Sequence, residues 1–300
     1  MPPGTMRSPS KPHKTIPSKP VLALAISVVA PLACVSATGC TGTKGQPAAQ
    51  SPERQSDAEY DLAVDLFKKN NPRSALDHAR KSVELNEEND KASYLVALIL
   101  LSFCTGPRGF EQPDCKLAEI EKSARQSLKV APQNREARNF LGQTLINEKK
   151  FKEAITVLEP LTKDPAYSTP HLAWGNLGWA QVEDGQIDRG LESLRNAVAA
   201  EPRFCVGHYH MGLALERKGD IAGAERSLTS AVTADKDCET LQDGWEARAR
   251  VRARLMKIED AKKDYERCVE LSKETATGKK CAVELKKLSA VNGRTDTRQT

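Results

Sequence analysis

Residues 171–204 read HLAWGNLGWAQVEDGQIDRGLESLRNAVAAEPRF. Leu177 precedes Gly178, Gly190 follows twelve residues later, Leu194 four after that, and Ala197 three further on. The spacing suits two helices that cross so closely that only Gly or Ala fits at the contact, while the larger apolar residues fill the gap to the next unit. Pro202 then stops the second helix, because proline cannot continue the hydrogen-bond ladder of the preceding turn. The pattern recurs along the chain. Its first small residue falls at Ala63, Ala97, Gly142, Gly178, Gly212 and Ala249, at intervals of 34, 45, 36, 34 and 37 residues. Its second falls at Ala75, Ala154, Gly190, Ala224 and Ala261, with Ile120 as the exception. Pro132 closes the second unit as Pro202 closes the fourth.

A helix–turn–helix unit with this spacing resembles the tetratricopeptide repeat, whose period is 34 residues. Trp174, Leu177, Gly178, Gly190, Leu194, Ala197 and Pro202 stand at that family's positions. The resemblance implies an all-α solenoid of about six repeats over 56–291. The repeats run 56–89, 90–133, 135–168, 171–204, 205–238 and 242–275. Residues 279–291 (KKCAVELKKLSAV) read as a polar-faced capping helix, which the end of a solenoid requires, and 292–300 as a disordered tail.

Composition agrees. The 300 residues are 39% apolar but only 5% aromatic, so Ala and Leu must build the core, and 28% are charged. Mean hydropathy is −0.52, and no apolar run reaches the roughly 20 residues of a membrane-spanning helix. The net charge of +5 comes mostly from the first 40 residues, which carry Arg7, Lys11, Lys14 and Lys19 and no acid; the rest has 41 basic against 40 acidic residues. A nucleic-acid binder would keep a basic surplus, so no nucleic-acid partner is expected.

The N-terminus follows the order of an export signal. A basic, Pro- and Ser-rich segment precedes the apolar stretch Val21 to Ala33, and small residues and cysteines follow. Met6 is an alternative start. Ala37-Thr38-Gly39-Cys40 resembles a bacterial lipobox, with Pro31-Leu32-Ala33-Cys34 as the alternative. That resemblance implies a signal peptide over 1–39, acylation of Cys40 (or Cys34) and a flexible tether over 40–55. Neither cysteine is followed by Asp, so likeness to sorted lipoproteins implies the periplasmic side of the outer membrane.

Six cysteines remain, which allow 15 pairings. The repeat layout favours three. Cys104 and Cys115 bracket the insertion in the second repeat, Cys205 and Cys238 open and close the fifth, and Cys268 and Cys281 would pin the cap. A metal site at Cys205 and His208 lacks a second pair of ligands. No Gly-rich phosphate loop, HExxH or GxSxG occurs, so neither an enzyme, a cofactor nor a small-molecule substrate is expected. Arg248, Arg250, Arg252 and Arg254 alternate along one helix of the sixth repeat. They read as ion pairs with Glu259, Asp260 and Asp264, or as a site for an acidic or phosphate partner.

In the tetratricopeptide family the first helix of each repeat lines the concave face. The positions implied here are Tyr60, Val64 and Phe67; Tyr94, Leu98 and Leu101; Ile146; Trp179 and Val182; and Tyr209 and Leu213. These either pack between repeats or form an apolar groove for an amphipathic segment. A lipoprotein built almost wholly of such repeats resembles the type IV pilus pilotins, the Tgl, PilF and PilW group. The lipobox at Cys40, the Leu177-Gly178-Trp179 and Met211-Gly212-Leu213 helices and the late cysteines carry that resemblance. It implies binding of the pilus secretin and promotion of its assembly into an outer-membrane ring. The rival expectation is an adaptor lipoprotein for β-barrel assembly or peptidoglycan enzymes.

Overall fold

A computed structural model of the chain describes residues 51–104, 110 and 112–296. The described residues form thirteen α-helices and no strand. Six hairpins follow one another: α1 (Pro52–Lys68) with α2 (Pro72–Leu85), α3 (Asp90–Ser102) with α4 (Leu117–Val130), and α5 (Arg135–Asn147) with α6 (Phe151–Thr162). Then come α7 (Pro170–Glu183) with α8 (Ile187–Ala200), α9 (Cys205–Lys218) with α10 (Ile221–Thr233), and α11 (Gln242–Arg254) with α12 (Ile258–Leu271). A 3-10 turn, Lys236–Thr240, leads into α11, and α13 (Ala276–Asp296) caps the stack. Each hairpin packs on the next.

The expected crossings are where the helices meet. Ala63, Ala97 and Ala249 are fully buried, as are Ala75, Ala154, Ala224 and Ala261. At Gly178 an added Cβ would stand 2.7 Å from Leu194 Cγ and 2.9 Å from the Gly190 carbonyl oxygen, so α7 and α8 touch nearly backbone to backbone. Ile120 takes the place of the small residue in the second repeat and is wholly buried too.

Local chemistry sets the helix ends. The side chains of Asn71, Asn89, Asn134 and Asp220 accept from the N–H groups of Ser74, Ala92, Ala137 and Gly223, satisfying donors that the first turn leaves free. Pro132 and Pro202 each stand two residues beyond a helix end. The turn inside five of the six hairpins passes through one left-handed residue: Asn70, Lys149, Gly185, Gly219 and Met256. These fall at the same position of their repeats, so one turn geometry is used throughout with different residues.

Two boundaries differ from expectation. The helical region begins at Pro52 rather than 56, because Ser51 accepts from the Arg54 N–H at 3.4 Å and Pro52 suits the first helical position. The final helix passes 291 and reaches Asp296; Gly293 weakens it but supplies no stop as firm as proline. The expected signal peptide, Cys34, Cys40 and Met6 lie outside the described residues.

All three cysteine pairs form in the expected pattern: Cys104–Cys115, Cys205–Cys238 and Cys268–Cys281, with Cα atoms 4.6, 5.4 and 6.2 Å apart. Cys205 therefore has no sulfur to give a metal.

Candidate partner-binding face

The odd-numbered helices form one face. Successive members touch, α1 with α3, α5 with α7, α7 with α9, α9 with α11 and α11 with α13, while the even-numbered helices show no comparable approach among the described residues. The stack thus closes toward the odd side, and that side is the inner face.

At its N-terminal end the face is apolar. Tyr60, Val64 and Phe67 on α1 and Tyr94, Leu98 and Leu101 on α3 are all half-buried. Each packs inward on the central core and keeps part of its surface open. Tyr94 meets Phe140 of α5 edge to face, ring centres 5.6 Å apart. Burial, with a smaller push from Glu136, raises the Tyr94 hydroxyl to about 12, so it stays neutral in any ordinary medium.

Two expected face residues lie inside instead. Val182 is 2% exposed and fills the space that Gly190 leaves for want of a side chain. Ile146 is 9% exposed. Val182 lies against Gly190 of its own hairpin and packs with Ala214 of the next, while Ile146 belongs to the central core. Neither offers surface to a partner.

The middle of the face is not apolar. Asn176 of α7 donates to Asn139 of α5 at 3.0 Å. Beyond it stands a stack of rings. Trp179 lies parallel to His210 of α9, centres 4.4 Å apart and 9° between planes, and Tyr209 follows at 5.5 Å. The Arg217 guanidinium sits 4.9 Å over the Trp179 ring and pairs with Glu183 at 2.5 Å. Desolvation, helped by the Arg217 charge, holds the His210 imidazole down to about 3, so it stacks as a neutral ring. Tyr209 and Leu213 are half-buried over the core between α10 and α11. His210 stands two residues before Gly212, as Asn176 stands two before Gly178, and that shared repeat position puts it on the same face.

The C-terminal end is ionic. Tyr209, Leu213, Glu216 and Arg217 of α9, Glu246, Arg250 and Arg254 of α11, and Lys280 of α13 line an open cavity of about 550 Å³. Arg254 donates to Glu216 at 2.9 Å and Lys280 pairs with Glu246 at 2.8 Å, while Arg250 bonds to both carboxylates. Behind them Arg248, 7% exposed, makes two hydrogen bonds to Asp264, 3% exposed, at 2.9 and 2.7 Å, and Arg252 adds a third at 2.8 Å. Arg252 and Lys257 also hold Glu225. Of the three expected acid partners of the arginines, Asp264 serves; Glu259 and Asp260 pair with Lys262 and Lys263.

A family model described as tetratricopeptide repeat matches residues 176–238. The match falls on the fourth and fifth hairpins, and the described residues as a whole fold as an all-α, tetratricopeptide-like solenoid. No curated protein matches it in sequence. In structure the solenoid is similar to the crystal structure of PilW, described as a widely conserved type IV pilus biogenesis factor, at 17% identity and a TM-score of 0.61, over 75% of this chain and 97% of that one. It is similar to PilF of Pseudomonas aeruginosa at 14% identity and a TM-score of 0.58, over 78% of this chain and all of that one. It is also similar, at 17% identity and a TM-score of 0.58, to an IFIT1 variant with Gppp-AAAA, over 74% of this chain and 51% of that one. Such likenesses speak for the fold; tetratricopeptide-repeat solenoids serve different partners, and those of this chain follow from its own surface. Among the described residues no helix is long and apolar enough to cross a membrane, and no three His, Cys, Asp or Glu converge as a metal site.

Proposed function

We propose that this solenoid is a non-enzymatic outer-membrane lipoprotein that binds the secretin of a type IV pilus machine and promotes its assembly, as a pilotin does. The observation that carries the reading is the half-open apolar row on α1 and α3, from Tyr60 to Leu101, which suits the apolar face of an amphipathic segment. The likeness to PilW and PilF spans essentially their whole length, and the expected acylation at Cys40 would hold the complex at the membrane. Three disulfides suit an oxidising compartment outside the cytoplasm.

The test is an immunoblot of heat- and detergent-resistant secretin multimers in cells with and without the protein. Loss of multimers while monomer persists is the expected result; unchanged multimers point to the adaptor role in another envelope complex. Leu98→Asp should abolish the effect while circular dichroism stays helical, and Cys40→Ala should release the protein from the membrane.

A further inference from the structure

Four residues before its crossing residue, each repeat carries one side chain of the odd helix: Glu59, Ser93, Arg138, Trp174, His208 and Trp245. Ser93 is the one small residue in that row. The two indoles are used within the chain. Trp174 is half-buried against the central core. Trp245 packs with Tyr265 and Cys268, and its N–H donates to the Glu239 carbonyl at 2.9 Å. At Ser93 an open cavity of about 380 Å³ stands instead, on the outer side of the stack between α2 and α4. Both its ends are bridged. Arg80 pairs with Glu119, and Gln126 donates to the Glu87 carbonyl at 3.0 Å. Each bridge joins residues 39 apart, so the two helices run side by side with a gap held open between them. Val83 and Val96 line the gap together with Ser93, Lys122 and Ser123. Ser93 is 2% exposed, yet its hydroxyl has no hydrogen-bond partner among the described residues. A buried polar group left so costs free energy that a bound donor would recover. Lys122 is exposed and, among the described residues, makes no ion pair.

We propose that this outer cavity receives the indole of a tryptophan from a partner chain, which completes in the second repeat the position that Trp174 and Trp245 fill in the fourth and sixth. The ring lies on Val83 and Val96. Its N–H donates to Ser93 Oγ. The Lys122 ammonium attends its face, an attraction that is strongest for indole among the aromatic side chains. A cavity of this size falls within the roughly 300–1,000 Å³ of small-ligand pockets, and a tryptophan set in a pocket is a common anchor of protein interfaces. The site is separate from the apolar row on α1 and α3, which faces inward, so it stands or falls independently of the pilotin reading.

The probe is N-acetyltryptophanamide, titrated into the isotope-labelled full chain in zwitterionic detergent while backbone amide shifts are followed by NMR. Amides of 80–96 and 119–126 should move together and saturate, with a dissociation constant on the order of 0.1–1 mM. N-acetylleucinamide should bind about tenfold more weakly, for want of the ring and its N–H. Ser93→Ala should weaken binding of the tryptophan probe about fivefold and Lys122→Gln about threefold, both with the helical circular dichroism unchanged. Ser93→Trp should fill the cavity from within and abolish the response. Equal binding of the two amides, shifts centred on α7 and α9 instead, or an affinity that survives both Ser93 variants overturns the proposal. So does binding of free indole that is about tenfold or more tighter than that of the tryptophan amide, which would make this a cavity for a small aromatic molecule rather than for a side chain.

Discussion

Asp264 is the perturbation with the clearest expected size. It is 3% exposed and receives two hydrogen bonds from Arg248 and one from Arg252, all between 2.7 and 2.9 Å. Arg248 is itself 7% exposed and stacks 4.7 Å over the Trp245 ring. Asp264→Asn keeps the volume but removes the charge that two arginines share. Removing one partner of a buried pair costs about 3–5 kcal/mol, because the other charge stays desolvated without compensation. The cost should be local, since Asp264 joins α12 to α11. The measurement is amide hydrogen exchange. Protection in α11 and α12 should fall by about 100-fold or more, the equivalent of about 3 kcal/mol, with α1–α6 little changed, because stability in a repeat array is nearly a sum of neighbour terms. Asp264→Leu with Arg248→Met should recover most of the loss, as apolar replacements of buried pairs do. A loss below about 1 kcal/mol for Asp264→Asn would refute the argument, since an exposed pair costs no more than that.

Three other outcomes follow from the structure. Replacing Cys205 and Cys238 by Ala opens a crosslink spanning 33 residues and should lower stability by about 3–4 kcal/mol on the loop-entropy relation, read from urea melts. Met256→Gly should raise stability by about 0.5–1 kcal/mol in the same melts, because Met256 has φ 59° and is 78% exposed, so left-handed strain is relieved and little packing is lost. The His210 imidazole is held well below its unfolded value of 6.5, at about 3. The unfolded chain therefore takes up a proton first as pH falls, so this contribution to stability is complete above 6.5 and declines from there toward 3; His210→Phe should keep the ring stack and flatten that part of the stability–pH curve.

The hairpins were legible because their contacts are local. Gly178 and Gly190 are twelve residues apart and mark one crossing, and four further pairs repeat the mark, the second repeat alone departing with Ile120. The left-handed turns at Gly185, Gly219 and Asn70 use residues that favour that conformation, whereas Lys149 and Met256 carry no such signal and only the repeat position reveals them. The inner face was half legible. Helical spacing says which side a residue occupies but not how deep it lies, so Val182 and Ile146 look like neighbours of Trp179 until the packed core takes them in. The ionic end was least legible. Arg250 finds Glu216 across 34 residues and Arg252 finds Glu225 across 27, separations at which sequence offers no rule for choosing among many carboxylates.

The Cys205–Cys238 bond has a mechanical consequence for a protein expected to be tethered by one end. It joins the first residue of the fifth repeat to the turn that follows it, so tension along the backbone passes through sulfur and bypasses α9 and α10. Pulled from its ends, the chain would keep about 110 Å of contour in reserve, taking 33 residues at about 3.4 Å each. The neighbouring repeats would give way while the fifth, which carries His210, Tyr209 and half of the ionic cavity, stayed out of the line of force. That extra length would appear in a force–extension trace only after a reductant is added.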